Sequence, residues 1–273
     1  MMSLARLLAL LNIANDSDVE ITSLAIDSRK VVTGGLFFAY PGAQADGRDF
    51  VLQAQEAGAM AIIYDGADYE LPKTIHIPAF SVVNLQAQVG RIAHDFFGRA
   101  CDEMQVFGVT GTNGKTTCCY LLTQALTQLG MQAAMIGTIG VGKLDHLLSA
   151  DQTTPDPIVL HQTLAKLKTQ GITQVCMEVS SHALDQGRVS GVEFFCTLFT
   201  NLSHDHLDYH GDMVSYAGAK KRLFTEYFSE LVVTNANDQL GASLIDVANA
   251  EFIVSYGAGG DVYADEVTLT ASG

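Results

Sequence analysis

Gln105-Val106-Phe107-Gly108-Val109-Thr110-Gly111-Thr112-Asn113-Gly114-Lys115-Thr116-Thr117 decides how the rest of this chain is read. An apolar run of β type ends in a glycine-bearing loop, and Lys-Thr-Thr then opens a helix that should reach about Leu129. Such a loop frees backbone N–H groups to wrap phosphates, and the helix N-terminus adds a favourable dipole. Gly111, Thr112, Asn113, Gly114, Lys115, Thr116 and Thr117 are therefore the expected contacts of a nucleotide triphosphate. Lys115 would reach the terminal phosphates, and the Thr116 hydroxyl would meet a magnesium ion. The spacing is a variant of G-x-x-x-x-G-K-[ST], because position 109 is Val. A bare strand-to-helix turn with a surface lysine is the plainer alternative.

Composition limits the rest. With 273 residues, two domains are expected, drawn here as 1–100 and 101–273. At 48% hydrophobic residues the chain can bury a sizeable core. Its net charge of −15 argues against a nucleic-acid binder, whose surface must be basic. An anionic substrate must then be held by a few local cations and metal ions. Cys101, Cys118, Cys119, Cys176 and Cys196 form no zinc-like pairs, and their odd number suits free thiols in a reducing, cytoplasmic setting. Leu4, Leu7, Leu8 and Leu11 fall on one helical face, so the apolar N-terminus reads as an amphipathic helix rather than a signal peptide. No apolar stretch is long enough to cross a membrane.

The first domain mixes short β runs at Ser23–Ile26, Leu36–Tyr40 and Met60–Tyr64 with helices near Phe50–Ala57 and Leu85–Phe97. Asp27-Ser28-Arg29, Gln44 and Asp46-Gly47-Arg48 each follow a strand, so they mark either solvated turns or a ligand pocket. From residue 104 onward strands and helices alternate. Strands are expected at 104–109, 133–137, 173–178, 194–199, 230–234 and 251–255, with helices at 115–129, 157–169, 212–228 and 238–248. The alternating run Val262–Thr270 should begin an antiparallel piece. The fold class is thus α/β: a small N-terminal α/β domain, then a P-loop-type, mostly parallel sheet flanked by helices.

Polar residues gather where three of these strands end. The first ends in the phosphate loop, and Val175-Cys176-Met177 ends in Glu178-Val179-Ser180-Ser181-His182. Phe194–Phe199 ends in Thr200-Asn201, followed by Ser203-His204-Asp205-His206-Leu207-Asp208-Tyr209-His210. Ligands of open α/β sheets bind beyond the carboxyl ends of the strands. Glu178 is a candidate ligand for a hard cation, and His206 could add a nitrogen. The plainer readings are an N-cap or ion pair for the one and a satisfied core imidazole for the other. A rival reading takes His204–His210 as a binuclear zinc hydrolase motif, although Tyr209 interrupts the H-x-H-x-D-H spacing.

Thr110–Thr117, Met177-Glu-Val-Ser-Ser-His182 and Asn201–Gly211 together resemble the ATP-dependent Mur ligases. Asp27-Ser-Arg29 and Pro41-Gly42 with Asp46-Gly-Arg48 are similar to the family's uridine-binding N-terminal domain, in the branch that adds a diamino acid. The resemblance implies an ADP-forming reaction of peptidoglycan synthesis. ATP phosphorylates the carboxylate of UDP-MurNAc-L-Ala-D-Glu, and the amine of meso-diaminopimelate or lysine displaces the phosphate. It further implies that Ile26, Ser28 and Gln44 touch the uridine end. Thr153, Thr154, Ser180, Gln186 and Arg188 would hold the muramyl-peptide. Lys220 matches the lysine the family carbamylates, which would join Thr116, Glu178 and His206 around Mg²⁺; without the family it reads as one of a solvated Lys220-Lys221-Arg222 trio. Ala43 and Gln152 depart from the family pattern. A monomer is expected. These ligases carry a further C-terminal amino-acid-binding domain, so the chain is expected to be a truncated form that does not ligate alone. Two alternatives stay open: a folate-polyglutamate ligase of the same fold, and a non-catalytic UDP-sugar or nucleotide-binding module.

Overall fold

The computed structural model describes residues 1–265, which group into two compact units. The units are not contiguous in sequence. The first comprises Met1–Ala100 with Asp156–Ala165 and Gln186–Val192, and the second holds the remainder.

The first unit opens with β1 (Met2–Ser3), α1 (Leu4–Ala9) and β2 (Glu20–Ile21), the two strands pairing antiparallel. Leu4, Leu7 and Leu8 of α1 are buried, with Leu11 packed against the same cluster, as their spacing predicts. Four strands then form a parallel sheet in the order β3 (Ser23–Ala25), β4 (Gly35–Ala39), β5 (Ala59–Asp65), β6 (Ala79–Val82). Every residue of β4 is buried, because a parallel strand is covered on both faces. Its alternate side chains divide accordingly: Leu36 and Phe38 face one apolar cluster, Phe37 and Ala39 the other. Each such fully buried side chain contributes about 2 kcal/mol. Helices α2 (Val51–Glu56) and α3 (Gln86–Phe96) complete the unit's N-terminal part.

The second unit carries β7 (Gln105–Thr110), α4 (Lys115–Gln128), β8 (Ala133–Gly137) and β9 (Gly140–Gly142). After α5 (Pro157–Thr169), whose first part groups with the other unit, come β10 (Gln174–Glu178), α6 (Ser181–Asp185) and β11 (Phe194–Phe199). Helices α7 (Leu207–His210) and α8 (Met213–Thr225), strand β12 (Ser229–Asn235), helix α9 (Gln239–Leu244) and strand β13 (Ala250–Tyr256) follow. The seven strands run in the order β13-β12-β11-β7-β10-β8-β9, parallel except for β9. The α/β class with its mostly parallel second sheet is therefore as expected from sequence.

The topology fixes where a ligand can sit. From β7 the chain moves to β8 and back to β10 on one side, then crosses to β11 on the other. The connections leaving the neighbouring strands β7 and β11 thus part in opposite directions, and this opens a crevice at their carboxyl ends. The phosphate loop lies there. Val262 makes a single parallel bridge with Tyr256, and positions 266–270 of the run expected to turn antiparallel lie outside the described residues.

Candidate functional site

Gly111 has φ +148°, and a Cβ there would overlap the Thr200 hydroxyl, so only glycine lets the loop close against the end of β11. Thr112 N–H donates to the Asn201 carbonyl at 2.8 Å, and Asn113 N–H to Asn201 Oδ1 at 3.0 Å. The Thr200 hydroxyl returns a bond to the Asn113 carbonyl at 2.7 Å. The loop is thereby stapled to the segment that follows β11. Gly114 adopts φ +86° as the N-cap of α4, leaving Lys115, Thr116 and Thr117 in the helix's first turn.

Two ammonium groups converge on one carbonyl. Lys115 Nζ donates to the Gly111 oxygen at 2.8 Å and to the Thr112 oxygen at 2.9 Å, while Lys220 Nζ reaches the same Gly111 oxygen at 2.8 Å. Burial lowers the pKa of Lys115, opposed by Glu178 and Asp205. Lys220 is 1% exposed. Burial, with Lys115 beside it, pushes its pKa down to about 7, against the attraction of Asp205. Burial and mutual repulsion thus disfavour the charged form of both amines, and an anion brought to this point would relieve that cost.

Glu178 ends β10 and is 1% exposed. Its Oε2 accepts from the Thr116 hydroxyl at 2.9 Å, and its Oε1 from the Thr138 N–H at 2.8 Å. Gly137 makes room for that carboxylate, since a Cβ there would overlap Oε1. The Thr138 hydroxyl links Glu178 Oε2, at 3.3 Å, to Thr153 Oγ1, at 3.0 Å. The Thr154 hydroxyl donates to the Glu178 carbonyl at 2.9 Å and accepts from Ser180 N–H at 3.0 Å. Loop, metal-ligand candidate and three muramyl-peptide candidates (Thr153, Thr154 and Ser180) therefore form one connected network.

His206 is exposed and left-handed, φ +52°, at the start of α7. A non-glycine residue held there is a mark of local constraint. Its ring packs 4.8 Å from that of His182 and 6.1 Å from that of Tyr216. Asp205 Oδ2 lies 3.4 Å from His206 Nε2. Among the described residues, no three ligand atoms of the His204–His210 run come within 4.8 Å of one another. That spread does not match a binuclear zinc centre.

The donor set fits a hard cation beside phosphates. Glu178 offers a buried carboxylate, Thr116 a hydroxyl already turned to it, and the paired lysines a place for anionic oxygens. Thr138 and Tyr216 were given no role by the sequence, and Asn201 was placed at this strand end without one. Thr138 and Asn201 carry the signal used for Glu178, a polar residue just after a buried strand. Tyr216 has none, since an aromatic residue on a helix face reads as core.

The remaining expected contacts belong to the first unit. Ile26 and Ser28 follow β3, and Gln44 follows β4, so the carboxyl ends of adjacent parallel strands carry all three. Asp27 caps the turn Ser28–Lys30 and pairs with Arg29 at 2.8 Å. Asp46 does the same for Gly47–Phe50 and pairs with Arg48 at 2.7 Å. These two Asp-x-Arg groups thus build their own turns. The Ser28 hydroxyl donates to Gln53 Oε1 at 2.8 Å, a partner that sequence did not single out. Gln186 and Arg188 group with this unit, and Arg188 donates to Gln186 Oε1 at 2.6 and 2.9 Å. Burial raises the pKa of Tyr40, just after β4, helped by Asp156 and opposed by Arg188, so the guanidinium acts near that strand end.

Comparison with known proteins gives a consistent result. A model of the Mur ligase middle domain matches residues 109–273, and one for the Mur ligase family, catalytic domain, matches residues 20–97. The UDP-N-acetylmuramoyl-L-alanyl-D-glutamate--2,6-diaminopimelate ligase of Coxiella burnetii is 44% identical over 258 residues, covering 94% of this chain and 53% of that protein. The ligase of the same name from Aquifex aeolicus is 40% identical over 242 residues, covering 89% and 49%. A solved structure of a ligase of that name superposes with a TM-score of 0.85 at 29% identity, over 100% of this chain and 56% of the other. The chain spans about half the length of the curated relatives it matches.

Proposed function

The chain belongs to the Mur ligase family, and from that premise we propose that its protein is an ADP-forming amide ligase of peptidoglycan precursor synthesis. It joins a diamino acid to UDP-MurNAc-L-Ala-D-Glu through an acyl phosphate. Relatives named for 2,6-diaminopimelate favour meso-diaminopimelate over lysine as the incoming amine. The observation that carries this reading is the crevice at the end of β7. There Lys115 and Lys220 share the Gly111 carbonyl, and Thr116 is bonded to Glu178.

The chemistry explains the arrangement. A carboxylate is a poor acyl donor until one of its oxygens becomes a phosphate leaving group. Bringing a triphosphate to that carboxylate sets anion against anion, so the site must neutralise charge before the groups can meet. Lys115 and the N-terminal dipole of α4 would hold the terminal phosphates. Thr116, Glu178, His206 and carbamylated Lys220 would hold Mg²⁺, which when bound screens phosphate charge. With its pKa near 7, the Lys220 amine is neutral in a large fraction of molecules, and neutral amine is the form that attacks CO₂. The product is a carbamate and a released proton, which turns a buried cation into an anionic oxygen donor. Thr153, Thr154 and Ser180, tied to Glu178, would present the acceptor carboxylate to the same crevice. Ile26, Ser28, Gln44, Gln186 and Arg188 would take the uridine and muramyl parts.

Among the described residues no helix is long and apolar enough to cross a membrane. We place the protein in the cytoplasm as a monomer, where ATP and nucleotide-linked precursor are both available. Calorimetry tests the assignment: the chain should bind UDP-MurNAc-L-Ala-D-Glu and show no heat with a folate. Folate binding without muramyl-peptide binding would move it to a different branch of ligases.

A further inference from the structure

Tyr216 is fully buried on α8, one helical turn before Lys220. Its hydroxyl lies 3.1 Å from Thr112 Oγ1 in the phosphate loop. That threonine oxygen also accepts the Ser203 N–H at 2.9 Å and lies 3.3 Å from the Ser203 carbonyl oxygen. A hydroxyl has one proton and two lone pairs. Ser203 N–H occupies one lone pair and the Ser203 carbonyl takes the proton, so the remaining lone pair accepts the Tyr216 O–H. All three contacts are satisfied at once only when the phenol is the donor.

The ring has a separate set of neighbours. The Lys220 Nζ sits 4.5 Å from its centroid, so the ring packs against the end of that side chain. The His206 ring meets it edge-on at 6.1 Å, and the His210 ring lies tilted at 5.3 Å. One side chain therefore touches the phosphate loop and two of the side chains assigned to the metal.

We propose that Tyr216 is a positioning residue for the triphosphate and its metal, with two separable parts. The hydroxyl fixes Thr112 and hence the loop, and the ring fixes Lys220 and His206. The proposal rests on the reading that this loop holds a nucleotide. It acts through those residues, so its two parts should weaken different quantities: the hydroxyl governs affinity for the phosphates, the ring governs the gain that magnesium adds.

The test is calorimetry on the 273-residue chain with ATP plus Mg²⁺, ATP plus EDTA, and UDP-MurNAc-L-Ala-D-Glu. Tyr216→Phe should bind ATP about fivefold more weakly with and without Mg²⁺, the value of one hydrogen bond, leaving the magnesium-dependent ratio intact. Tyr216→Leu should also collapse that ratio towards one. Both should keep wild-type affinity for the uridine compound. Should Tyr216→Leu fail to fold, Tyr216→Phe combined with Thr112→Val decides, because two changes that delete one bond must be non-additive. Equal losses for all three ligands, unchanged ATP binding, or additive effects of the pair would each overturn the proposal. A wild-type chain that binds the uridine compound but no ATP would remove the nucleotide reading itself, and Tyr216's role with it.

Discussion

On the proposed reading, Glu178 is a side chain that a ligand needs and the fold nearly does not. Its carboxylate accepts bonds from Thr116, Thr138 N–H and the Thr138 hydroxyl, so an amide of the same shape keeps most of them. Glu178→Gln should cost only about 1 kcal/mol of stability, one weakened hydrogen bond. It should nevertheless sharply weaken the magnesium-dependent part of ATP binding, which loses one of the two anionic ligands proposed for the metal. Thermal unfolding and calorimetry on the same sample check both halves; a folded variant with a wild-type magnesium response would remove Glu178 from the metal. His161 gives a pH prediction of opposite character. Burial drives its pKa down to about 4, with His94 adding to the shift and the Ser190 carbonyl, 2.9 Å from Nε2, opposing it. The unfolded chain therefore binds more protons between pH 6.5 and 4, and stability must rise with pH across that window. The contribution is fully present above 6.5 and is lost as pH falls towards 4, roughly 3 kcal/mol in all. His161→Gln should flatten the denaturation free energy over that range; an unchanged slope would mean the imidazole already charges in the folded state. Lys115 was legible from sequence because a glycine loop leads from a buried strand to the helix it opens, and Glu178 because it ends such a strand. Lys220 was not, since its neighbours Lys221 and Arg222 made the helix face look solvated, and only the packing of α8 reveals its burial.

At the scale of elements, the phosphate loop is a part whose shape is set by its contact with a neighbouring strand. Gly111→Ala places a methyl against the Thr200 hydroxyl and asks a Cβ-bearing residue to hold φ +148°, so the loop must lift from β11. ATP affinity should fall at least tenfold, while UDP-MurNAc-L-Ala-D-Glu binding by Ser28 and its neighbours should persist. Parallel loss of both ligands would show global unfolding instead of a displaced loop. The same scale explains what sequence could and could not reveal. Helix α4 and strands β7, β8, β10 and β11 were visible because long apolar runs alternate with helical spacing, and their ends lie close to the expected positions. Helices α6 and α7 span 5 and 4 residues, too few for any periodicity to declare itself. Strand β6 is a half-exposed edge strand of four residues after Pro78, too short to set a period, and β9 contains Gly140 and Gly142 and so lacks an apolar signature. Sequence pattern shows where a polar residue leaves a strand. It does not show which hydroxyl then reaches which carboxylate, and so Thr138 stayed hidden.

The two units of the whole molecule are cut from the chain in a way that no linear boundary near residue 100 reproduces, and this has a measurable consequence. Segments 156–165 and 186–192 group with the first unit. Ile158 joins its apolar cluster beside Val89 and Ile92 of α3. The Ser190 hydroxyl donates to the Ala87 carbonyl at 3.0 Å, and Gln86 Nε2 donates to the Gln186 carbonyl at 3.2 Å. The His161 ring meets that of His94 edge-on at 5.3 Å. A fragment of residues 1–100 forfeits a buried isoleucine, about 2 kcal/mol, and two hydrogen bonds of about 1 kcal/mol each. It also exposes the face of α3 that these residues cover. Against the 5–15 kcal/mol that holds a typical domain, such a loss is severe. The fragment should therefore show hydrogen exchange in β4 and β5 faster than the same amides in the 273-residue chain, by about a thousandfold if the opening is global. It should also bind UDP-MurNAc-L-Ala-D-Glu more weakly, since Gln186 and Arg188 are missing from it. Equal protection in fragment and whole chain would mean that the first hundred residues close their own core, and that the two later segments lie on the unit without supporting it.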